Sequence, residues 1–482
     1  MASLEEIKKA RLKKLEILKN KGINPYPCKV PRDLELSELK KGFDDFEKTK
    51  KSVSVAGRVI VIRGQGAILF AVIFDGTSEM QIIIKKDHIG EDQFNLFVDS
   101  VDMGDFVSFT GTAIMSKTGE QSVLADSWIM ASKSLLPLPE KWAGLQDIEE
   151  RYRKRYLDFL VNKDLREIFF KKAKFWNVVR EFMNGKGFLE VETPTLETTT
   201  GGAEATPFTT HHNDFDMDVY LRISVGELWQ KRMMAGGFPK TYEIGRVYRN
   251  EGTSPEHAQE FTNMEFYWSF ADFEDGMDLV RELYIKIAKE VFGKTEFQSK
   301  GHTFDLESEW KLIDYCDEIK KQTGINVLTA SLDDMTKKAE ELGLKYEGNN
   351  KERLTDTLWK YCRKNISGPA FLINHPKIVA PLAKSTDEDK VQMFQPIIAG
   401  SEVGRGYSEL NDPIDQKRRF EEQQKLIEGG DTEAMMPDWE FVEMLEYGMP
   451  PTCGFGFGER LFSILEDKPL REIQSFPLMR PK

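Results

Sequence analysis

An α+β fold with a mainly antiparallel sheet, preceded by a smaller all-β domain, is what this chain predicts. Three observations lead there. Short alternating strands with turns between them fill residues 52–131. A stretch with two prolines, SLLPLPEKWAGLQD (Ser134–Asp147), then breaks the pattern as a stiff, extended connector. Beyond it, helices and strands mix without regular βαβ alternation, which argues against a doubly wound parallel sheet.

The elements justify this in order. Leu4, Ile7, Leu15 and Leu18 recur at helical spacing near the start, among Lys8, Lys9, Arg11, Lys13, Lys14, Lys19 and Lys21. A basic amphipathic helix is expected over residues 1–45, its charged face either solvated or turned to phosphate. Residues 46–136 hold the strands. SVSVAGRVIV alternates Val53, Val55, Val59 and Val61; FAVIF is followed by the turn DGTSE; MQIII, DFVSFTGTAI and SVLADSWIM complete about five strands. Five short strands with glycine-bearing turns suit a small closed barrel of the OB type. Residues 137–155 form the linker and 156–482 the larger domain. There Asp164 is a candidate cap for a helix with Leu165, Ile168, Phe169, Trp176, Val179 and Phe182 inward. FLEVETPTL follows as a strand ending at Pro194. Residues 293–368 are polar and helical, an expected insertion on the sheet.

Composition limits function. A chain of 482 residues exceeds one ordinary core, so two or three domains are expected. There is no apolar run long enough for a bilayer and no apolar centre in MASLEEIKKARLKKLE, so a cytoplasmic protein is expected. Cys28, Cys316, Cys362 and Cys453 are scattered, which fits a reducing compartment and argues against a structural zinc site. The net charge of −13 leaves room only for a local nucleic-acid surface. No GxxxxGK[ST] occurs, and GFGFGER (Gly454–Arg460) lacks the βαβ setting of a dinucleotide loop. The adjacent His211 and His212 would make a poor metal pair.

The charge-rich stretch RNEGTSPEHAQEFTNMEFY (Arg249–Tyr267) lies between strand-like YEIGRVY and FTNMEF. Together with GFLEVETPTL, GSEVGRGYSELND and GFGFGERLF…LREIQSFPLMRP, it resembles the signature motifs of class II aminoacyl-tRNA synthetases. Within that class the chain is most similar to the bacterial type of lysyl-tRNA synthetase, through RLKKLEILKNKGINPYP, LPLPEKWAGLQDIEERYRKRYLD, GGAEATPFTTHHND and FPLMRPK. The single motifs are short; their ordered set is specific.

The resemblance implies ATP and L-lysine as substrates, Mg²⁺ as cofactor, tRNA(Lys) as partner and a homodimer. It implies that Arg249 and Arg460 grip phosphate as catalytic residues, that Phe261 stacks on adenine, and that Glu251 and His257 lie by the nucleotide. An arginine fork, permanently charged, suits that task. Glu265, Glu409, Tyr267 and Tyr407 would enclose the lysine side chain, with Glu227 and the backbone of Gly202 at its α-ammonium. Arg405 would meet the substrate carboxylate, and Glu402 and Gln395 the metal. Arg63, Phe70, Gln81 and Glu120 would meet the anticodon. Phe70 could equally be barrel core.

Some positions depart from the family pattern. Gln395 replaces a usual acid, Arg405 a common Asn and Glu256 a usual Arg; the third motif is one residue short and carries Glu459 where Asp is common. Arg405 and Glu459 keep an aspartyl- or asparaginyl-type ligase open. A non-catalytic tRNA-binding paralogue would be expected to lose Arg249, Phe261 or Arg460, and all three are present. A ligase placing lysine on a protein fits the N-terminal barrel less well.

Overall fold

The computed structural model describes residues 3–139, 147–202, 205–252, 254, 257–346, 350–386, 389–430 and 434–481. The chain divides into two compact units, Met1–Gln146 and Asp147–Lys482.

In the first unit, five strands close into a barrel: β1 (Ser52–Gln65), β2 (Ile68–Phe74), β3 (Glu79–Lys85), β4 (Phe106–Met115) and β5 (Gln121–Ser132). Their order is β1-β2-β3-β5-β4. Alternation drives closure, because Val53, Val55, Ala71, Ile73, Ile82, Ile84, Val107 and Phe109 all point inward and are buried. A helix over Glu91–Ser100, not expected from the sequence, bridges β3 and β4 and buries Phe94 and Phe97 on the barrel.

The N-terminal residues are part of this unit rather than a separate segment. Leu18, Leu36, Leu39 and Phe43 join the barrel core, and the helix Phe43–Thr49 crosses the expected boundary at 45/46. Helix α1 (Leu4–Asn20) is not uniformly solvated or phosphate-facing. Arg11 is buried, donating to Ser134 Oγ (2.6 Å) and to the carbonyls of Leu136 (2.9 Å) and Met103 (2.9 Å). Lys14 pairs with Asp102 at 2.7 Å. Buried donors with fixed partners are structural, so these two residues leave the candidate phosphate face.

The second unit begins inside the expected linker, and a helix already runs over Ile148–Arg153. Its centre is a nine-stranded sheet. The strands are β6 (Leu189–Glu190), β7 (Lys240–Tyr248), β8 (Glu260–Ser269), β9 (Lys311–Asp314), β10 (Ala370–Pro376), β11 (Lys390–Ile398), β12 (Arg405–Ser408) and β13 (Thr452–Gly458), in the order β9-β10-β11-β12-β13-β8-β7-β6. The short pair Ser401–Glu402 adds to β11. All neighbours are antiparallel except β9/β10 and β7/β6.

Helix α2 (Lys163–Gly185) packs on one face through Leu165, Ile168, Phe175, Val179 and Phe182. Its cap is Asn162, which accepts from Leu165 N; Asp164 already lies inside the first turn. FLEVETPTL is strand only at Leu189–Glu190, and Leu196–Glu197 pairs in a separate three-stranded sheet. Residues 293–368 are not wholly helical. They open with a hairpin (Glu296–Ser299 with His302–Asp305) and contribute β9 to the central sheet. GFGFG, which lacks the βαβ setting of a dinucleotide loop, is the strand β13 itself.

Candidate active site

The middle of the sheet is a pair of strands chosen for what they lack. On β13, Phe455 and Phe457 are buried in the core, so Gly454, Gly456 and Gly458 alternate onto the opposite face. A Cβ at Gly454 would lie 2.1 Å from Glu409 Oε1 and 2.5 Å from Tyr267 Cε1. At Gly456 it would lie 2.8 Å from Glu265 Cγ, and at Gly458 3.3 Å from the Phe261 ring. Beside it, β8 supplies Phe261, Asn263, Glu265 and Tyr267 at every second position. Strand β12 supplies Arg405 and Tyr407, and Glu409 follows it. A cavity of about 320 Å³ results. Every residue expected at the lysine, ATP and metal sites lines it.

One end is acidic. Glu265 accepts from Val225 N (2.7 Å), Asn263 Nδ2 (3.1 Å) and Tyr267 Oη (3.2 Å). Burial, reinforced by Glu227, pushes its carboxyl up to about 7. Glu409 is also pushed upward by burial and by Glu227 and Glu265, against the pull of Lys231. Helix α3 (Glu227–Ala235) carries Glu227, whose carboxylate accepts from Tyr407 Oη. Gly202 is at φ +87, and a Cβ there would meet Glu227 Cβ at 2.6 Å, so only glycine brings this backbone so near. Three carboxyl groups therefore share a buried space with one ammonium among the described residues, that of Lys231. Raised carboxyl pKa values are the mark of anions short of cations. Such a space suits a ligand carrying ammonium groups.

The other end is basic. Arg249 donates from Nε and Nη2 to the Ile223 carbonyl (3.3 and 3.2 Å), and its guanidinium lies 5.4 Å from the Phe261 ring centroid. Glu260 pairs with Arg246 instead, at 3.1 Å. Burial lowers the pKa of Arg249; Glu251 opposes this, while Arg460 and Arg405 add to it. Arg460, at the start of α4 (Arg460–Leu465), reaches the carbonyl of Glu402 (3.3 Å) and His257 Nε2 (3.3 Å). His257 Nδ1 is 2.7 Å from Ser254 Oγ. Guanidiniums that repel one another are arranged for a polyanion, and the open Gly458–Phe261 corner leaves a flat surface for a ring.

The donor set for a metal is sparse. Glu402 accepts from Trp359 Nε1 at 2.5 Å and keeps a quarter of its side chain exposed. Gln395 Oε1 accepts from His375 Nε2 at 2.8 Å, with burial holding that histidine neutral at about 3. Among the described residues no cluster of three His, Cys, Asp or Glu ligands occurs. One carboxylate and one amide carbonyl fit a magnesium ion shared with phosphate oxygens, which needs few protein ligands; they do not make a closed protein cage.

Glu256 lies outside the described residues. Glu459 is turned from the cavity: it is buried, accepts from Thr262 N (3.1 Å) and pairs with Lys172 (2.9 Å). Sequence reasoning missed Lys231, Asn263 and Ser224. The signal for Lys231 was its position one helical turn after Glu227; for Asn263 it was the period of two from Glu265.

On the barrel, Phe70 points outward, since Leu69, Ala71 and Ile73 face the core. It sits opposite Arg63 in the β1–β2 register. Arg63 donates to Gln81 (3.0 Å) and lies 3.6 Å from Glu120, and Gln81 donates to Ser122 (2.9 Å). Arg63, Phe70 and Glu120 thus share one outer face, an aromatic beside polar groups, and Gln81 lies buried beneath it, bonded to Arg63 and Ser122.

The second unit matches the family described as tRNA synthetases class II (D, K and N) over residues 147–480. The barrel matches the OB-fold nucleic acid binding domain over 53–131. Similar full-length proteins include the lysine–tRNA ligase of Thermotoga maritima, 43% identical across 99% of this chain and 97% of its own. That of Roseiflexus sp. (strain RS-1) is 42% identical across 99% of both, and that of Staphylococcus epidermidis 42% across 98% of both.

Proposed function

We propose a division of labour within the cavity, from the premise that this chain belongs to the lysine–tRNA ligase family of class II tRNA synthetases. Its activity is the ligation of lysine to tRNA. The acidic end holds lysine: Glu265, Glu409 and Tyr267 meet the ε-ammonium, and Glu227 with the Gly202 backbone meets the α-ammonium. Arg405 faces the lysine carboxylate. The basic end holds ATP, with Arg249 on the α-phosphate, Arg460 on the γ-phosphate and Phe261 against adenine.

The reaction then needs mainly positioning. A carboxylate oxygen of lysine attacks the α-phosphorus in line, pyrophosphate leaves, and lysyl-adenylate remains. A ribose hydroxyl at the tRNA 3′ end next attacks the carbonyl carbon, and AMP leaves. Arg249, held on the α-phosphate, stabilises its oxygens as they gain charge. Magnesium, when bound with ATP, supplies further positive charge at the phosphates; Glu402 and Gln395 would hold it.

The observation that carries this reading is the charge count at the acidic end. Three carboxyl groups against Lys231 leave two without a cation of their own, and lysine brings two ammoniums. Aspartate would instead set another carboxylate against Glu265 and Glu409. The outer face with Arg63, Phe70 and Glu120, and Gln81 beneath it, is the proposed anticodon contact, where an aromatic stacks and polar groups read base edges. A homodimer is supported by Leu189 and Leu196, each 50% exposed on either side of Pro194. A cytosolic setting is supported by four free cysteines.

The test is charging of tRNA(Lys) transcript with lysine and ATP–Mg²⁺, read as an acid-stable shift of the 3′ end. Lysine-dependent charging is expected. Charging with aspartate or asparagine alone would overturn the assignment of the acidic end.

A further inference from the structure

Lys231 has no part in the division of labour above, yet its ammonium is the sole one at the acidic end among the described residues. It sits on α3 one turn after Glu227, is 1% exposed, and lies 2.7 Å from Glu227 Oε1 and 2.5 Å from Glu409 Oε2. Tyr407, Tyr267 and Phe441 surround it, with ring centroids 5.3, 5.9 and 5.8 Å away. The titratable groups around it come from each packed element: Glu227 on its own helix, Tyr267 and Glu265 on β8, Tyr407 on β12 and Glu409 after β12, while β13 turns glycines to this side and Cys453 to the opposite core.

A buried lysine normally loses its proton to low dielectric. Here burial works against the ammonium, but Glu227 and Glu409 outweigh it and its pKa ends above the ordinary value. The two carboxylates it touches are the two proposed to take different ammoniums of the substrate. With Lys231 two carboxyl groups are left without a cation; without it, three would share one buried space. Anions so crowded do not all ionise.

We propose that Lys231 is a positioning and specificity residue for the amino-acid site, a fixed counter-cation that bridges Glu227 and Glu409, offsets their charge and holds the two carboxylates apart. The site then meets a diammonium ligand with two carboxyl groups left to receive it. This rests on the lysine assignment made above.

The experiment is calorimetric binding of L-lysine to the full chain between pH 6 and pH 9, for wild type, Lys231→Met and Lys231→Arg, with ATP binding measured in parallel. Lysine affinity falls as pH drops, because the carboxylates take up protons. Losing the cation removes what holds the Glu409 carboxyl down, so Lys231→Met should move the midpoint of that fall upward by about one pH unit and weaken binding at pH 7 roughly tenfold, with recovery toward pH 9. Lys231→Arg should keep the wild-type midpoint, and ATP binding should be unchanged in both. If Lys231→Met does not fold, Lys231→Gln, which keeps a donor without the charge, reads the same shift. Profiles for the uncharged variant that run parallel to wild type, equally weakened at every pH, would overturn the inference and leave Lys231 as packing. Absence of lysine binding by wild type itself would instead overturn the lysine assignment.

Discussion

The two ends of the cavity are built from the same sheet and left unbalanced in opposite directions. At one end Glu227, Glu265 and Glu409 face a single buried lysine, and burial drives the carboxyl pKa of Glu265 up to about 7. At the other, Arg249, Arg405 and Arg460 crowd together, and Arg249 is pulled below its usual range by burial and by its fellow arginines. Each end is costly alone, because buried charge without a partner is costly. The lesson is that the ligands are part of the electrostatic design. Lysine and ATP carry the charges that the two ends lack, and the glycine face of β13 gives them room.

Breaking one end should leave the other working. The largest effect is expected from Arg249→Ala, which removes a guanidinium aimed at developing phosphate charge. ATP–pyrophosphate exchange should fall by about 10³-fold while lysine still binds. Equal loss of lysine binding, or near-normal exchange, would break the comparison. Glu409→Gln should act at the opposite end. Lysine affinity should weaken about 30-fold or more, from the ~2–3 kcal/mol of a hydrogen-bonded charge, with ATP affinity retained; equilibrium titration of both ligands checks this.

Phe70→Ala tests a third region against both. Stacking of one base is worth ~1–3 kcal/mol, so tRNA charging should slow about tenfold while exchange without tRNA is unchanged. If both fell together, Phe70 would be supporting the barrel and not meeting bases. The smallest effect is wild type's own pH dependence. Glu265 has its pKa raised to about 7, so it is ionised above that pH and neutral below it. Lysine binding needs the ionised form, so Glu265 by itself contributes a loss of about fourfold between pH 8 and pH 6.5, and Glu409, raised to about 8, adds to the fall from higher pH. ATP affinity, set by arginines that do not titrate there, should stay flat over the same range.

Much of this was legible in the sequence because the parts that matter are short and periodic. Val53, Val55 and Val59 announce a strand with one buried face, and they line the barrel core. YEIGRVY and FTNMEF announce the antiparallel pair β7–β8 and so put Arg249 at one end and Glu265 at the other. What stayed hidden depends on distant partners. Arg11 reads as one more basic residue until Ser134, Leu136 and Met103 close around it. GFGFG shows alternating glycines, but only its neighbours show that they face Glu409 and Glu265. Lys231 reads as a helix-surface lysine, since a single lysine in ELWQKRM carries no sign that Glu409, 178 residues later, ends beside it. Asp164 and Asn162 are both good caps, and only the backbone turn at Asn162 decides between them.

The most direct test of the opposed ends is ATP–pyrophosphate exchange without tRNA, run with magnesium against each standard amino acid in turn. Exchange that depends on lysine is the predicted result, because only a ligand with two ammoniums and a carboxylate matches both ends at once. Exchange driven by aspartate or asparagine, or none with any amino acid from folded protein, would contradict it.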